Sequence, residues 1–180
     1  MCDAANFSVI ETLRNGRQVE IRAQRAQDGE ELEAAIARMS DESLRRRFFA
    51  AKHHFSEAEA GYFLNIDFAT HAALVVVADE NGKETIVGAG RYIVVEPGRA
   101  EVAFAVIDDY QRQGIAAALV RHLAAIARQA GLTELIAEVL ASNSAVLKVF
   151  ERSGLHMNTR RDGSVVHVTL TYVQPQQKPL

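Results

Sequence analysis

The sequence predicts one mixed α/β domain built on a largely antiparallel central sheet. Three observations lead there. Residues 72–107 hold three apolar runs joined by the short turns "NG" (81–82) and "EPGR" (96–99), and strands joined so closely must run antiparallel. Beyond Gly114 the apolar spacing changes from two to 3.6 residues, the mark of an amphipathic helix. Strand and helix patterns then alternate to the end. At 180 residues there is enough chain for one domain with a real core and too little for two.

Taken in order, residues 1–18 read as an N-terminal segment, 19–173 as the domain and 174–180, "VQPQQKPL" less its first residue, as a loose tail. The alternation of "VEIRA" (19–23) makes the first strand. Asp28 stands three residues before Glu31 in a capping-box-like start, and Leu32, Ala35, Ile36 and Met39 follow at helical spacing. Ser40 or Asp41 can cap a second helix through "ESLRRRFF". Ser56 and Glu59 form a capping box for a third.

"AALVVVAD" (72–79) is a continuous apolar run, suited to a strand buried on both faces. "TIVGAGRYIVV" (85–95) returns from it, and "AEVAFAVI" (100–107) completes a meander. Ile115, Leu119, Leu123 and Ile126 form the stripe of a long helix, ended by Gly131. "ELIAEVL" (134–140) is a strand. Asn143 or Ser144 caps a short helix with Val146, Leu147 and Phe150 inward, closed by Gly154. A last hairpin turns at Asp162–Gly163, with Val166, Val168, Leu170 and Tyr172 on its inner face.

Composition excludes several classes. A formal charge of -3 provides no basic field for nucleic acid. No apolar run reaches the roughly 18–20 residues of a membrane span. The first sixteen residues lack the basic-then-apolar order of a signal peptide, and a lone cysteine, Cys2, fits a reducing compartment. The expected setting is the cytoplasm. No Cys/His/Asp cluster has metal-ligand spacing, and the adjacent His53 and His54 point apart on any regular element.

The chemistry gathers in residues 100–116. A strand that enters a helix through a glycine-bearing turn leaves backbone N–H groups free at the positive end of the helix dipole. Such a turn can hold a phosphate without a lysine. Gly114 permits positive φ, Ala116 is small, Gln111 and Gln113 carry amides and Arg112 a cation. Gly114 could equally do no more than turn the chain. A P-loop is excluded, because no G-K-[ST] follows. A dinucleotide fingerprint is excluded too, because its later glycine places hold Ala and Leu.

Gln111-x-x-Gly114-x-Ala116 matches the [Q/R]-x-x-G-x-[G/A] motif of the GCN5-related N-acetyltransferase (GNAT) superfamily, and "NSAVLKVFERSGL" (143–155) resembles its second signature. The resemblance covers about residues 19–173. Within it, "MSDESLRRRFF" (39–49) and "AEVAFAVIDDYQRQGIAAALVRHLAAIAR" look like the acetyltransferase domain of bacterial protein-lysine acetyltransferases. What this implies is a GNAT fold, with the fourth and fifth of the strands read above splayed apart, and transfer of acetyl from acetyl-CoA, as co-substrate, to a primary amine. The acceptor would be a protein lysine, or alternatively a small amine; a non-catalytic acyl-CoA sensor is the third reading. Gln111, Arg112, Gln113, Gly114, Ile115 and Ala116 would hold the pyrophosphate, and Phe104, Ala105 and Val106 the pantetheine arm. Val106 N–H would polarise the thioester carbonyl. Asn143 would touch the arm, or serve only as a helix cap.

Acetyl transfer needs a deprotonated amine. Strand alternation puts Glu101 on one face with Ala103, Ala105 and Ile107, leaving room for a substrate beside a carboxylate; a bulge, usual in this strand of the superfamily, would shift that phase. The resemblance also places the base glutamate here. The competing reading pairs Glu101 with Arg99 or Arg91. Many relatives carry a tyrosine to protonate the departing thiolate where this chain has Phe150, which has no proton to give. "LRRRFF" (44–49) could hold an acidic substrate or form a solvated helix face, and Arg121 or Arg128 could reach the 3′-phosphate of CoA or stay on the surface. A homodimer through the last hairpin is a further expectation.

Overall fold

The computed structural model describes residues 3–48 and 56–173. Its elements are β1 (Ser8–Thr12), β2 (Gln18–Ala23), α1 (Gly29–Ala37), α2 (Asp41–Phe48), α3 (Glu57–Leu64), β3 (His71–Glu80), β4 (Lys83–Glu96), β5 (Arg99–Val106), α4 (Ile115–Gln129), β6 (Glu134–Leu140), α5 (Ser144–Glu151), β7 (His156–Asp162) and β8 (Val165–Thr171). One eight-stranded sheet runs β1-β2-β3-β4-β5-β6-β8-β7. Every neighbouring pair is antiparallel except β5 and β6. Among the described residues no helix is long and apolar enough to cross a membrane.

The sheet begins earlier than the sequence suggested, because Ser8–Thr12 pairs with the strand at 18–23. Alternation hides this strand. Its most apolar residue, Ile10, faces outward and is 62% exposed. Glu11 turns inward instead, to ion-pair with Arg121 and His122 of α4. Asp28 also departs from its expected role. It makes no cap bond at α1; it is buried and accepts both Nη groups of Arg22, at 2.8 and 2.9 Å. Ser40 does cap α2, its Oγ accepting from Ser43 N–H, and the Ser56–Glu59 capping box forms at α3.

The core lies on both faces of β3–β5. Strand β3 is buried at every position from His71 to Ala78, as its unbroken apolar run requires. Helix α4 lays Ile115, Leu119, Leu123 and Ile126 on one face of the sheet, while α1 packs against β4 from the other. The even-numbered residues of β5 therefore face α4, and the odd-numbered ones face α1 and α2.

Candidate active site

Strands β5 and β6 run side by side for only three residues, from Arg99 opposite Glu134 to Glu101 opposite Ile136. Beyond that point β5 continues to Val106 beside β4 alone, and a gap opens on its free side. The register with β4 is unbroken from Ala100 to Val106, so the expected bulge in this stretch is absent and the alternation from Glu101 to Ala105 holds.

That register decides which amides face the gap. Ile107 N–H donates to Val87 C=O. In an antiparallel ladder hydrogen-bonded pairs alternate with non-bonded ones. Ala105 therefore exchanges its bonds with Ala89, while Phe104 and Val106 turn their backbone groups into the gap. Of the three residues expected to pair with a pantetheine arm, Ala105 is the one whose backbone is committed elsewhere. The Val106 carbonyl is already bound, by Gln111 Nε2 at 3.1 Å.

The gap leads to the loop ahead of α4. Arg112 (φ +63) and Gly114 (φ +95) are both left-handed, a chain path that turns successive N–H groups toward one side. Ala118 N–H makes the first helical bond, to Gly114 C=O, so the N–H groups of Ile115, Ala116 and Ala117 have no acceptor within the helix. No side chain caps this end and no acidic residue stands in its first turn. A Cβ built on Gly114 meets nothing within 4 Å; the position needs glycine for its φ and leaves open space in front. Bare amides, a helix dipole and room without a carboxylate fit a pyrophosphate.

Gln111 stands apart from its neighbours. Its backbone N–H donates to Asp108 C=O, and its side-chain amide bridges Val106 C=O and Ser43 Oγ. It therefore positions the strand end and offers no donor to a phosphate. Asp108 continues the bridge, accepting from Ser40 N–H, Ser40 Oγ and Ser43 Oγ. These bonds hold its carboxyl below the usual range, although burial alone would raise it. Helix α2 is thus tied to the end of β5.

Sequence order gave no sign of Arg14. It lies in the β1–β2 turn, where its N–H donates to Gln113 C=O at 3.2 Å and its guanidinium to Arg112 C=O at 3.4 Å, adding a cation beside the loop. Arg121 is held by Glu11, and Arg128 sits 5.7 Å over the Tyr172 ring, one residue from the far end of α4.

Glu101 is exposed and lines a groove with Ile136, Glu138, Asn158, His167 and Thr169. Neither arginine proposed as its partner pairs with it. Arg99 binds Glu96 and Glu134, and Arg91 binds neutral acceptors. Arg47 of α2 feels the Glu101 carboxylate: burial pushes the Arg47 pKa down to about 10, while Glu101 raises it. Ala103 and Ala105 continue the same face into an apolar cavity that Arg47 and Arg91 also line. "LRRRFF" thus divides: Arg45 is exposed, whereas Arg47 is half-buried at this cavity.

Asn143 is the N-cap of α5, its Oδ1 accepting from Val146 N–H at 3.3 Å. Phe150 is 1% exposed and packs edge-on against Phe104, ring centres 5.7 Å apart, so it shapes the wall of β5 from below. Cys2, Phe49, His53, His54 and residues 174–180 lie outside the described residues.

Comparison with known proteins agrees with this geometry. Residues 36–155 match the family model described as the acetyltransferase (GNAT) family. An acetyltransferase of Pseudomonas aeruginosa is 34% identical over 138 residues, covering 76% of this chain and 74% of its own length. Acetyltransferase Pat of Mycolicibacterium smegmatis is 34% identical over 119 residues, 64% of this chain; the match spans 34% of that relative's length. Among solved structures, the GNAT domain of S. lividans PAT superposes with a TM-score of 0.82 at 31% identity, covering 91% of this chain and 96% of that one.

Proposed function

The chain belongs to the GNAT family of acetyltransferases, and from that premise we propose that it moves the acetyl group of acetyl-CoA directly onto a primary amine, a lysine of a protein. The single observation that carries this reading is the gap between β5 and β6, which opens beside Glu101 and ends at the bare amides of Ile115, Ala116 and Ala117. Acetyl-CoA supplies an activated acyl group as its thioester. The chain must hold that group at one end of the gap and its pyrophosphate at the other.

Residues 112–117 bind the pyrophosphate through backbone N–H groups and the dipole of α4, with Arg14 and Arg112 adding positive charge. Val106 N–H pairs with the pantetheine arm. Phe104 N–H, farther from the cradle and also turned into the gap, is the better donor to the thioester carbonyl. Val106 lies five residues from Glu101, about 17 Å along a strand, and Phe104 lies three, about 10 Å. A base at Glu101 therefore serves a carbonyl at Phe104 more readily, with water completing the path from an ammonium proton to its carboxylate. Glu101 then holds that proton while the amine attacks and CoA leaves. Phe150 supplies no proton, so the thiolate takes, through water, the second proton that the nitrogen sheds as the amide forms.

An open groove along β6, β8 and β7 supports a polypeptide acceptor. It carries both charges, being lined by Glu101 and Glu138 as well as by Arg99 and Arg160, which suits a lysine in a polar chain better than a polyamine. The exposed strand β7 is the edge on which a homodimer would form, and the cytoplasm is the setting this chemistry suits.

Thermal-shift binding of acetyl-CoA, followed by CoA release over small amines and over a protein lysate, tests the reading. Acetyl-CoA raises the melting temperature, NAD does not, and the lysate gains acetyl-lysine. No shift at saturating acetyl-CoA defeats the reading as a whole. Turnover of small amines alone moves the acceptor away from protein lysine.

A further inference from the structure

The face of the sheet under α1–α3 holds a cavity of about 110 Å³. Its floor is Gly88, Ala89, Ala103 and Ala105, and its roof includes Leu32 and Ile36. Into this apolar space come two guanidinium groups, Arg91 from β4 and Arg47 from α2. Glu33, the one acidic residue at the rim among the described residues, is exposed.

Arg91 is 8% exposed and lies 4.5 Å over the Phe63 ring. Its Nη1 donates to Phe63 C=O and to His71 Nε2, both at 3.1 Å, and its Nη2 to Gln24 Oε1 at 3.3 Å. An arginine can only donate, so His71 Nε2 accepts and the ring is neutral. Burial, and then the Arg91 charge, hold its pKa below the ordinary value. All these partners are uncharged, and among the described residues no carboxylate lies within ion-pair distance of Arg91. A guanidinium has five N–H donors; three are used, leaving Nε–H and one hydrogen of Nη2. Both can donate to a carboxylate.

A buried cation without a counter-ion is costly, and here a second cation of the same sign borders the same space. Burial, reinforced by Arg47, pushes the Arg91 pKa down to about 9. A carboxylate entering the cavity would relieve Arg91 in surroundings that screen charge weakly.

We propose that this cavity binds a carboxylate carried on a short apolar chain, held between the guanidinium groups of Arg91 and Arg47. The proposal rests on the acyltransferase reading and names a recognition element for it. Ala103 and Ala105, which line the cavity, flank Phe104, whose N–H would meet the thioester carbonyl. The carboxylate therefore arrives on one of the two reactants. On the acyl group it would be the far end of a dicarboxylic thioester such as succinyl-CoA. One ammonium proton first passes through water to Glu101; the amine nitrogen then bonds to the acyl carbon as the C–S bond breaks, and the second proton that the nitrogen sheds reaches the departing thiolate through water, so that CoA leaves as the thiol. On the acceptor it would be the free carboxylate of an amino acid.

Calorimetric binding separates these sources. One arm compares succinyl-CoA with butyryl-CoA, which matches it in chain length without the charge. The other compares leucine with leucinamide in the presence of CoA. One arm should favour the acid at least tenfold, and that preference should fall below threefold in Arg91→Met and Arg47→Met. Arg47 is half-buried, so its variant keeps the test valid where Arg91→Met fails to fold. No preference in either arm, or a preference that survives in Arg47→Met, overturns the proposal. Binding of acetyl-CoA in the same assay distinguishes the two levels. Acetyl-CoA binding without preference for the acids removes the carboxylate site alone, and loss of acetyl-CoA binding removes the acyltransferase reading with it.

Discussion

The side-chain amide of Gln111 donates to the carbonyl of Val106 at 3.1 Å, and the same nitrogen lies 3.0 Å from Ser43 Oγ. One residue therefore fixes the end of β5, the start of the phosphate loop and helix α2 relative to one another. Gln111→Ala leaves the Val106 carbonyl and Ser43 without this donor. We expect a stability loss of about 1 kcal/mol, the size of one net hydrogen bond. Catalysis should suffer more, with kcat/KM down about tenfold, because displacement of a binding strand by a fraction of an ångström costs orientation. Urea unfolding and steady-state kinetics on one preparation check both. Equal kcat/KM with lowered stability would reduce Gln111 to a structural residue.

Gly114 and Gly131 stand at opposite ends of α4 with similar left-handed φ, +95 and +84, and neither has an atom within 4 Å of a built Cβ. Alanine at either place should cost about 1 kcal/mol of backbone strain. Only the methyl group of Gly114→Ala enters the space proposed for pyrophosphate. Acetyl-CoA affinity should fall tenfold or more in that variant and stay within twofold in Gly131→Ala. Parallel titrations decide it, and equal affinities in the two variants would show that Gly114 merely turns the chain.

The core of this site was legible because its signals are local. Gly114, the switch of period at Ile115 and the NG and EPGR turns each announce themselves within a few residues, and they place β4, β5 and α4 correctly. What the sequence hid depends on contacts across the chain. Strand β1 escaped because Ile10 faces outward and Glu11 inward, reversing the pattern that marks a strand, and Arg14 escaped with it. Gln111 reads as a phosphate donor until its two acceptors, five residues before it and on α2, are seen. Arg47 and Arg91 lie far apart in sequence and meet only because α2 is tied to β5 through Ser40, Ser43 and Asp108.

Acid should destabilise the fold in two stages. His71 has a folded pKa below its ordinary value of 6.5, through burial and Arg91. The unfolded chain therefore binds a proton that the folded chain refuses, and stability present above pH 6.5 is lost as pH falls toward the folded pKa. Asp28 follows at lower pH. Burial alone would raise its pKa, but the Arg22 fork and Arg25 N–H bring it below 3.8, so its contribution is present above pH 3.8 and lost as pH falls through the folded value. Replacing His71 by glutamine, whose carbonyl can still accept from Arg91, should flatten the first stage and leave the second. Urea midpoints between pH 8 and pH 3 test this, and an unchanged loss between pH 7 and pH 5 would mean that another group carries it.

Glu101 is the group on which the chemistry turns. It is exposed on the groove, its ion-pairing rivals are engaged elsewhere, and the Ala103 and Ala105 side chains beyond it leave space on the same face. Glu101→Gln keeps the shape and removes the proton acceptor. General-base loss should lower kcat by about 10²-fold or more, with acetyl-CoA affinity unchanged because the cradle lies at the other end of β5. The defect should shrink as pH rises, since hydroxide supplies part of the free amine that Glu101 would otherwise generate. A merely structural glutamate would lower stability without a pH-dependent gain. Rate profiles from pH 6.5 to pH 9.5 on a substrate turned over by the wild type distinguish the two, and parallel profiles for both proteins would remove Glu101 from the base role.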